Sequence, residues 1–405
     1  MARDTVDGKP GRALEGITVL DLTHLAAGPW CSMMLADSGA RVIKIEPPGG
    51  GDIARSMGSV FIRGESTIFL SFNRNKESVT LNLQTSEGRE VFYRLAQVAD
   101  VVIENFRPGT VQRLGVDYET IARLNPGVIY CSISAFGQDG PYKDRPANDP
   151  VLQAMAGLMD ITGEATGAPC RVGASVPDYG AAALAAYGIV TALFARERTG
   201  RGQKIELSLL DATVSCLQPR EGEYFAVGQE MRRMGSGHPA FVPYQAFRTG
   251  DGRYIYVSVF TEKFWRAFCA ALGREELAED SRFDRNTKRV ENRDALVRMI
   301  EGWLIEGTCD EWTTRFVAAG VPCGPVKTMG EALNDPQLLH NEMVVELQHP
   351  VAGTIRGLGS VVKFRGTPVE YRTPPPVLGE HTNSVLEELG YTAEDIAELE
   401  RLGAL

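Results

Sequence analysis

The chain has 405 residues, 43% of them hydrophobic and 23% charged. That length predicts two domains, and that balance excludes a globally disordered chain. Forty-two basic residues against 52 acidic ones leave a net charge of −10. This argues against non-specific nucleic-acid binding and polybasic membrane binding, but permits a local basic pocket for an anionic ligand.

In chain order, Gly16 to Thr23 (GITVLDLT) has the Ile/Val/Leu content of a buried strand. Gly28-Pro29 opens a helix to about Asp37, since Pro in the first turn costs no hydrogen bond. Arg41 to Glu46 alternates like a second strand, and Ser78 to Leu83 is a third. A helix follows from Thr85 to about Val98, then a fourth strand from Asp100 to Phe106. Short helices are predicted near 108–114 and 118–124, and Gly127 to Phe136 is the fifth strand. Strands separated by helix-length segments predict a mostly parallel sheet covered on both faces.

A helix near 150–159 and a small-residue core helix, Gly180–Arg196, come next. Arg220 to Pro243 is polar and rich in Gly and Met, and reads as a connection. Tyr244–Phe260 is a hairpin around Gly250-Asp251-Gly252, followed by helices at 262–272, 292–306 and 309–319. These make a small α+β domain. A helix at 329–334, strands near 343–349 and 361–365, and two terminal helices complete the chain. No segment is taken as a membrane span, and MARDTVDGKPGRALEG lacks the apolar stretch of a signal peptide. Seven scattered cysteines without a C-x-x-C pair predict reduced thiols in a cytoplasmic protein. Neither they nor the five histidines have metal-ligand spacing.

The nucleotide motifs G-x-G-x-x-G and G-x-x-x-x-G-K-[ST] and the G-x-S-x-G elbow are absent. Four segments remain as carriers of chemistry. Asp178 stands just before the small-residue helix; it is either that helix's cap or a carboxylate held at the helix's positive end. Thr23 to Pro29 is a strand-to-helix loop able to offer backbone N–H groups to an anion. Asn105-Phe106-Arg107-Pro108-Gly109, with Arg113 beyond, brings two guanidinium groups near another strand end, and phosphate is their natural partner. Met234 to Pro239 (MGSGHP) is a flexible loop that could close over a site.

Eight segments in order resemble the family III CoA-transferases, the CaiB/BaiF family. They are VLDLTHLAAGP (19–29), GARVIKIEPPGGGD (39–52), NRNKESVTLNL (73–83), VIENFRPG (102–109), RTGRGQKIELSLLDA (198–212), GVPCGPV (320–326), NDPQ (334–337) and PVLGEHT (376–382). The resemblance, to formyl-CoA transferase-like members and to the related α-methylacyl-CoA racemases, runs from about Leu14 to the C-terminus. It implies an α/β fold: a large doubly wound, Rossmann-like domain from 1–220 and 331–405, a smaller α+β domain at 221–330, and an interlocked homodimer.

The resemblance also implies the activity. In the transferases one Asp attacks the acyl-CoA thioester, and Asp178 matches it. CoA then moves from an acyl-CoA donor, succinyl-CoA being the commonest, to a carboxylic acid acceptor. An aspartyl anhydride and an aspartyl-CoA thioester are the intermediates, and Gly180 and Ala181 leave room for the thioester carbonyl. The class is a transferase of sulfur-containing groups without a prosthetic group, using coenzyme A as substrate. By position, His24, Leu25, Ala26 and Ala27 line pantetheine and active site. Leu81, Asn82, Leu83, Gln84, Asn105, Phe106, Arg107 and Arg113 hold adenine and phosphates. Ser134, Ala135 and Phe136 form another CoA-facing strand end, and Gly235, Ser236 and Gly237 match a glycine loop that covers the site. Pro47 stands where the oxalate-directed members have an Arg for the nucleotide, so that contact is not carried over; Ala26 stands where they have a Gln touching the substrate, and the smaller side chain implies a larger acyl group. The racemase branch is the alternative. It pairs a His, before the Asp matching Asp149, with the Asp matching Asp178; here Asn148 stands in the place of that His, and an amide cannot shuttle a proton.

Overall fold

Strands buried on both faces need a layer of helices on each side. The computed structural model, which describes residues 11–405, has this arrangement in its larger unit. That unit comprises residues 11–158, Arg171–Gly222 and Gln337–Leu405; the smaller comprises Met159–Cys170 and Glu223–Pro336. In the larger unit β1 (Thr18–Asp21), β2 (Arg41–Glu46), β3 (Lys76–Thr80), β4 (Val101–Glu104), β5 (Ile129–Ser134) and β6 (Gln203–Ser208) form one sheet. All pairs are parallel and the order is β3-β2-β1-β4-β5-β6. Alternate side chains feed two cores. Val19, Val101 and Ile103 pack with Ala181, Ala185 and Ile189. Leu20 and Val102 face Val91, Phe92, Leu386 and Leu399.

The strand order reverses between β1 and β4. Loops leaving neighbouring strands there diverge to opposite faces, and open α/β sheets bind ligands in the crevice this leaves. Helix α1 (Ala27–Asp37) follows β1, and α2 (Ser86–Val98) follows β3 with the Thr85 side chain accepting the Gly88 N–H. Helix α3 (Asp149–Met155), α4 (Val176–Thr199) and α5 (Leu209–Ser215) pack on one another.

Helix α4 is longer than the 180–196 segment expected, and it is only partly a core helix. Its alanine face is buried, but Leu184, Tyr187, Val190 and Phe194 on the outer face are exposed, Tyr187 at 71%. Its 24 residues are apolar enough to cross a membrane by length and composition. The same composition serves a helix with one face in a core.

Two segments depart from the sequence reading. Gln203–Ser208 is the sixth sheet strand, inside a motif whose charged ends mask its pattern. The strand expected at 361–365 is absent; the partner of Val344–His349 is Gly353–Leu358, whose two glycines hide it. Val361 and Val362 are instead 70% and 56% exposed in a segment without strand or helix. In the smaller unit Tyr244–Arg248, Tyr254–Ser258 and Cys323–Pro325 form an antiparallel sheet. It packs on helices around Trp265, Phe268, Trp312 and Phe316.

Candidate active site

The carboxyl edge of the sheet rests on a layer of buried charge. Asp21 at the end of β1 accepts from Lys76 Nζ (3.0 Å) and Ser32 Oγ (2.6 Å). Burial works to raise this carboxyl, but Lys76 and Lys44 outweigh it and hold it well below the usual range. Lys44 Nζ lies 3.0 Å from Asp52 Oδ2, both fully buried, and donates to Thr23 O (2.7 Å). Buried charges persist only when paired in this way.

This layer fixes the loop between β1 and α1. Leu25 adopts φ 67°, a left-handed conformation costly for a branched side chain, and Asp52 Oδ1 accepts its N–H (3.1 Å). The Asn105 side chain bridges across the crevice from the β4 loop. Its Oδ1 accepts the His24 N–H (2.8 Å) and its Nδ2 donates to His24 O (2.9 Å). The His24 ring packs 5.2 Å from Phe106, and its Nδ1 is 3.6 Å from Asp52 Oδ1. Ala26 caps α1 without a side-chain bond, and Ala27 is buried. The structure therefore brings His24 to Ala27 and Asn105 to Phe106 together. It gives Asn105 a positional task, because both ends of its amide are already bonded.

Arg107 and Arg113 are both exposed, and Arg113 Nη2 donates to Thr110 Oγ1 (2.9 Å). Beside them Pro108, Gly109, Gln112, Gln138, Lys143, Asp144 and Lys204 line a cavity of about 350 Å³. Gln138 Nε2 is buried there without a partner. Lys143 and Lys204 add to the cationic groups of this region; Lys143 lies outside the matched segments, and Lys204 lies in the 198–212 segment without having been singled out as a ligand. Ser134 ends β5, where its Oγ accepts the Gly137 N–H (3.0 Å); Ala135 O accepts the Leu210 N–H (3.1 Å), and Phe136 packs on Tyr142.

The 81–84 segment is largely engaged inside the fold. Leu81 and Leu83 are core residues, and Asn82 is tied to Ala404 O and Gly403 O. Gly235, Ser236 and Gly237 belong to the smaller unit and are fastened rather than flexible. Gly235 N–H donates to Gly163 O (2.9 Å), Ser236 Oγ accepts the Ala246 N–H (3.0 Å), and Ser236 O accepts the Tyr256 hydroxyl (3.0 Å).

Asp178 is not the cap of its helix. Ser175 is the N-cap, Pro177 follows, and Asp178 is the third residue of α4. No hydrogen bond reaches its carboxylate among the described residues, and burial together with the charge of Asp149 pushes it up to about 6. A carboxylate left bare, half-buried and more basic than usual, yet still ionised at neutral pH, is suited to nucleophilic attack. Ala181 points into the core, so only Gly180 leaves space beside it; a Cβ there would lie 3.7 Å from Ala212 O. Tyr179 packs on Trp30 of α1 (4.9 Å), which ties the helix start to the β1 side. The neighbour that sequence reading left out of the site is Asp149, buried at the start of α3.

Residues 14–382 match the profile of CoA-transferase family III. The chain belongs to that family. Succinyl-CoA:glutarate CoA-transferase of Mus musculus is 40% identical over 93% of this chain and 86% of its own length. Acetyl-CoA:oxalate CoA-transferase of Acetobacter aceti is 38% identical over 95% and 98%. The crystal structure of a CaiB/BaiF family protein from Brucella suis superposes with a TM-score of 0.85 at 36% identity, covering 94% of this chain and all of that one. The enzyme is thus a CoA-transferase whose substrates are CoA thioesters and carboxylates.

Proposed function

We propose that this CoA-transferase moves CoA from succinyl-CoA or a similar donor to a carboxylic acid through covalent intermediates on Asp178. A carboxylate oxygen of Asp178 attacks the thioester carbonyl, the C–S bond breaks, and CoA thiolate leaves an aspartyl anhydride. The thiolate attacks the Asp178 carbonyl, releasing the donor acid and forming an aspartyl-CoA thioester. The acceptor carboxylate attacks that thioester and expels thiolate. Thiolate then attacks the acceptor acyl carbonyl, giving the new acyl-CoA and free Asp178. The observation that carries this reading is the bare, basic carboxylate of Asp178 in a chain of this family. Relatives named for succinyl-CoA and glutarate support the donor.

CoA lies along the carboxyl edge of the sheet in this proposal, across His24 to Ala27, Asn105 to Arg107 and Ser134 to Phe136. Its phosphates meet Arg107, Arg113, Lys143 and Lys204, since guanidinium and ammonium groups neutralise them. The 81–84 segment contributes backbone and Gln84. A second copy covers the apolar face of α4, in an interlocked homodimer that works in the cytoplasm without a prosthetic group.

Trapping tests the reading. Incubation with succinyl-CoA and hydroxylamine, followed by peptide mass spectrometry, is expected to find a hydroxamate on Asp178. A hydroxamate on another residue, or turnover surviving in Asp178→Ala, overturns it.

A further inference from the structure

Asp149 has no part in the steps above, yet it opens a helix, α3, that packs on the one carrying Asp178. It is only 9% exposed. Gln153, fully buried one turn on, donates from Nε2 to Asp149 Oδ1 (2.7 Å). The Gln153 Oε1 accepts the Val172 N–H (2.9 Å), so the same amide holds the strand of chain that leads into α4. The backbone N–H of Asp178 is directed at the Asp149 carboxylate. Asp149 Oδ2 is buried without a hydrogen-bond partner. A buried carboxylate that is only half satisfied is an expensive feature, tolerated where charge itself has a use.

We propose that Asp149 is the positioning residue of the nucleophile: it anchors the first turn of α4 through the Asp178 backbone and sets the basicity of the Asp178 carboxylate by its negative charge. The inference rests on Asp178 being the nucleophile. The surroundings leave Asp149 as the governing charge. Arg171, in the segment before α4, acts on Asp149 itself. Helix α1 packs along α4, but its one charged residue, Asp37, sits at the far end and is paired with Arg74 (2.6 Å). Helix α5, packed on both α3 and α4, carries Asp211 in its first turn. On Asp178 the one charge felt beyond burial is that of Asp149. Burial also raises Asp149, against the hydrogen bonds from Gln153 and the Asp178 N–H and the charge of Arg171. A nucleophilic carboxylate held beside a second one is harder to ionise and more basic once ionised.

The pH dependence of kcat/KM separates this from a merely structural role. Asp149→Asn keeps the size and an acceptor for both N–H groups but removes the charge. Its acidic limb is expected about one pH unit below that of the parent enzyme, with the plateau kcat reduced about tenfold and KM for the acyl-CoA unchanged. Asp149→Glu retains the charge and keeps the limb in place. Gln153→Ala loosens the anchor, lowering kcat without moving the limb. An Asp149→Asn limb that coincides with the parent's overturns the proposal, as does an Asp149→Glu limb displaced as far as that of Asn. Hydroxylamine trapping in Asp149→Asn is read alongside. A hydroxamate still on Asp178 there, with an unmoved limb, sinks the inference alone; a hydroxamate elsewhere sinks the nucleophile assignment.

Discussion

At Asp178 the environment that suits the proposed nucleophile weakens the fold. Its carboxyl is pushed up to about 6 by burial and by Asp149, above the unfolded value of roughly 4. The contribution of such a group is fully favourable below the unfolded pKa and is lost as pH rises through the folded one. Asp178→Asn is therefore expected to stabilise the protein by about 2 kcal/mol near pH 8, allowing for partial exposure, and by nothing below pH 4. Urea unfolding of both proteins at the two pH values checks this. In activity, kcat/KM of the parent enzyme should fall below about pH 6, because the protonated carboxyl cannot attack. Asp52 is the opposite case. Burial works to raise it, but Lys44, His24 and the Ala54 N–H hold it far below its usual range. Asp52→Ala leaves the Lys44 ammonium buried beside an empty place and frees the Leu25 N–H. A loss of about 3 kcal/mol in a denaturant melt is expected.

The elements owe their placement to close approaches as much as to apolar pattern. A Cβ on Gly28 would fall 2.3 Å from Thr23 Cβ, so the first turn of α1 can sit on the end of β1 only without a side chain there. Gly28→Ala must displace either the helix or the loop that holds His24. A loss of about 1–3 kcal/mol, with kcat falling more than KM rises, is the expected outcome in melts and steady-state assays. The alternation of buried strands and capped helices made this half of the fold legible from residues alone. Arg41 to Glu46 and the helix at 118–124 were bounded correctly because alternation, an Asp117 cap and a following Asn are local signals. Gly353–Leu358 was not legible, since its pairing depends on a hairpin partner and its glycines carry no pattern. In the site, Asp178 and the two strand-end loops stood out as residue types at junctions. Asp149, Asp52 and Lys204 did not, because what distinguishes them is who they meet along the chain: Asp178 across 29 residues, His24 across 28, and Glu104 across about a hundred.

For the molecule as a whole, the unpartnered face of α4 is the largest question posed by its surface. Leu184, Tyr187, Val190 and Phe194 recur at helical spacing on the helix that carries Asp178. A partner copy seated there would stiffen from outside the helix that bears the proposed nucleophile. On the proposal that a second copy covers this face, Tyr187→Asp combined with Phe194→Asp is expected to give monomers in sedimentation where the parent gives dimers, and to cut turnover. A dimer that persists in the double variant assigns the face another occupant.

The larger unit is assembled from three stretches of chain, and its first strands are fastened by its last residues. Asp37, Arg74 and Asn75 bond one another and the 358–373 segment, while Asn82 takes hold of Ala404. During synthesis, β1 to β5 leave the ribosome long before either β6 or those closing contacts exist. Hydrophobic strand edges must wait, while 223–336, nearly continuous, has its partners at hand. Folding of the catalytic half is thus a late event, and a chain arrested before its final sixty residues leaves that half open to aggregation.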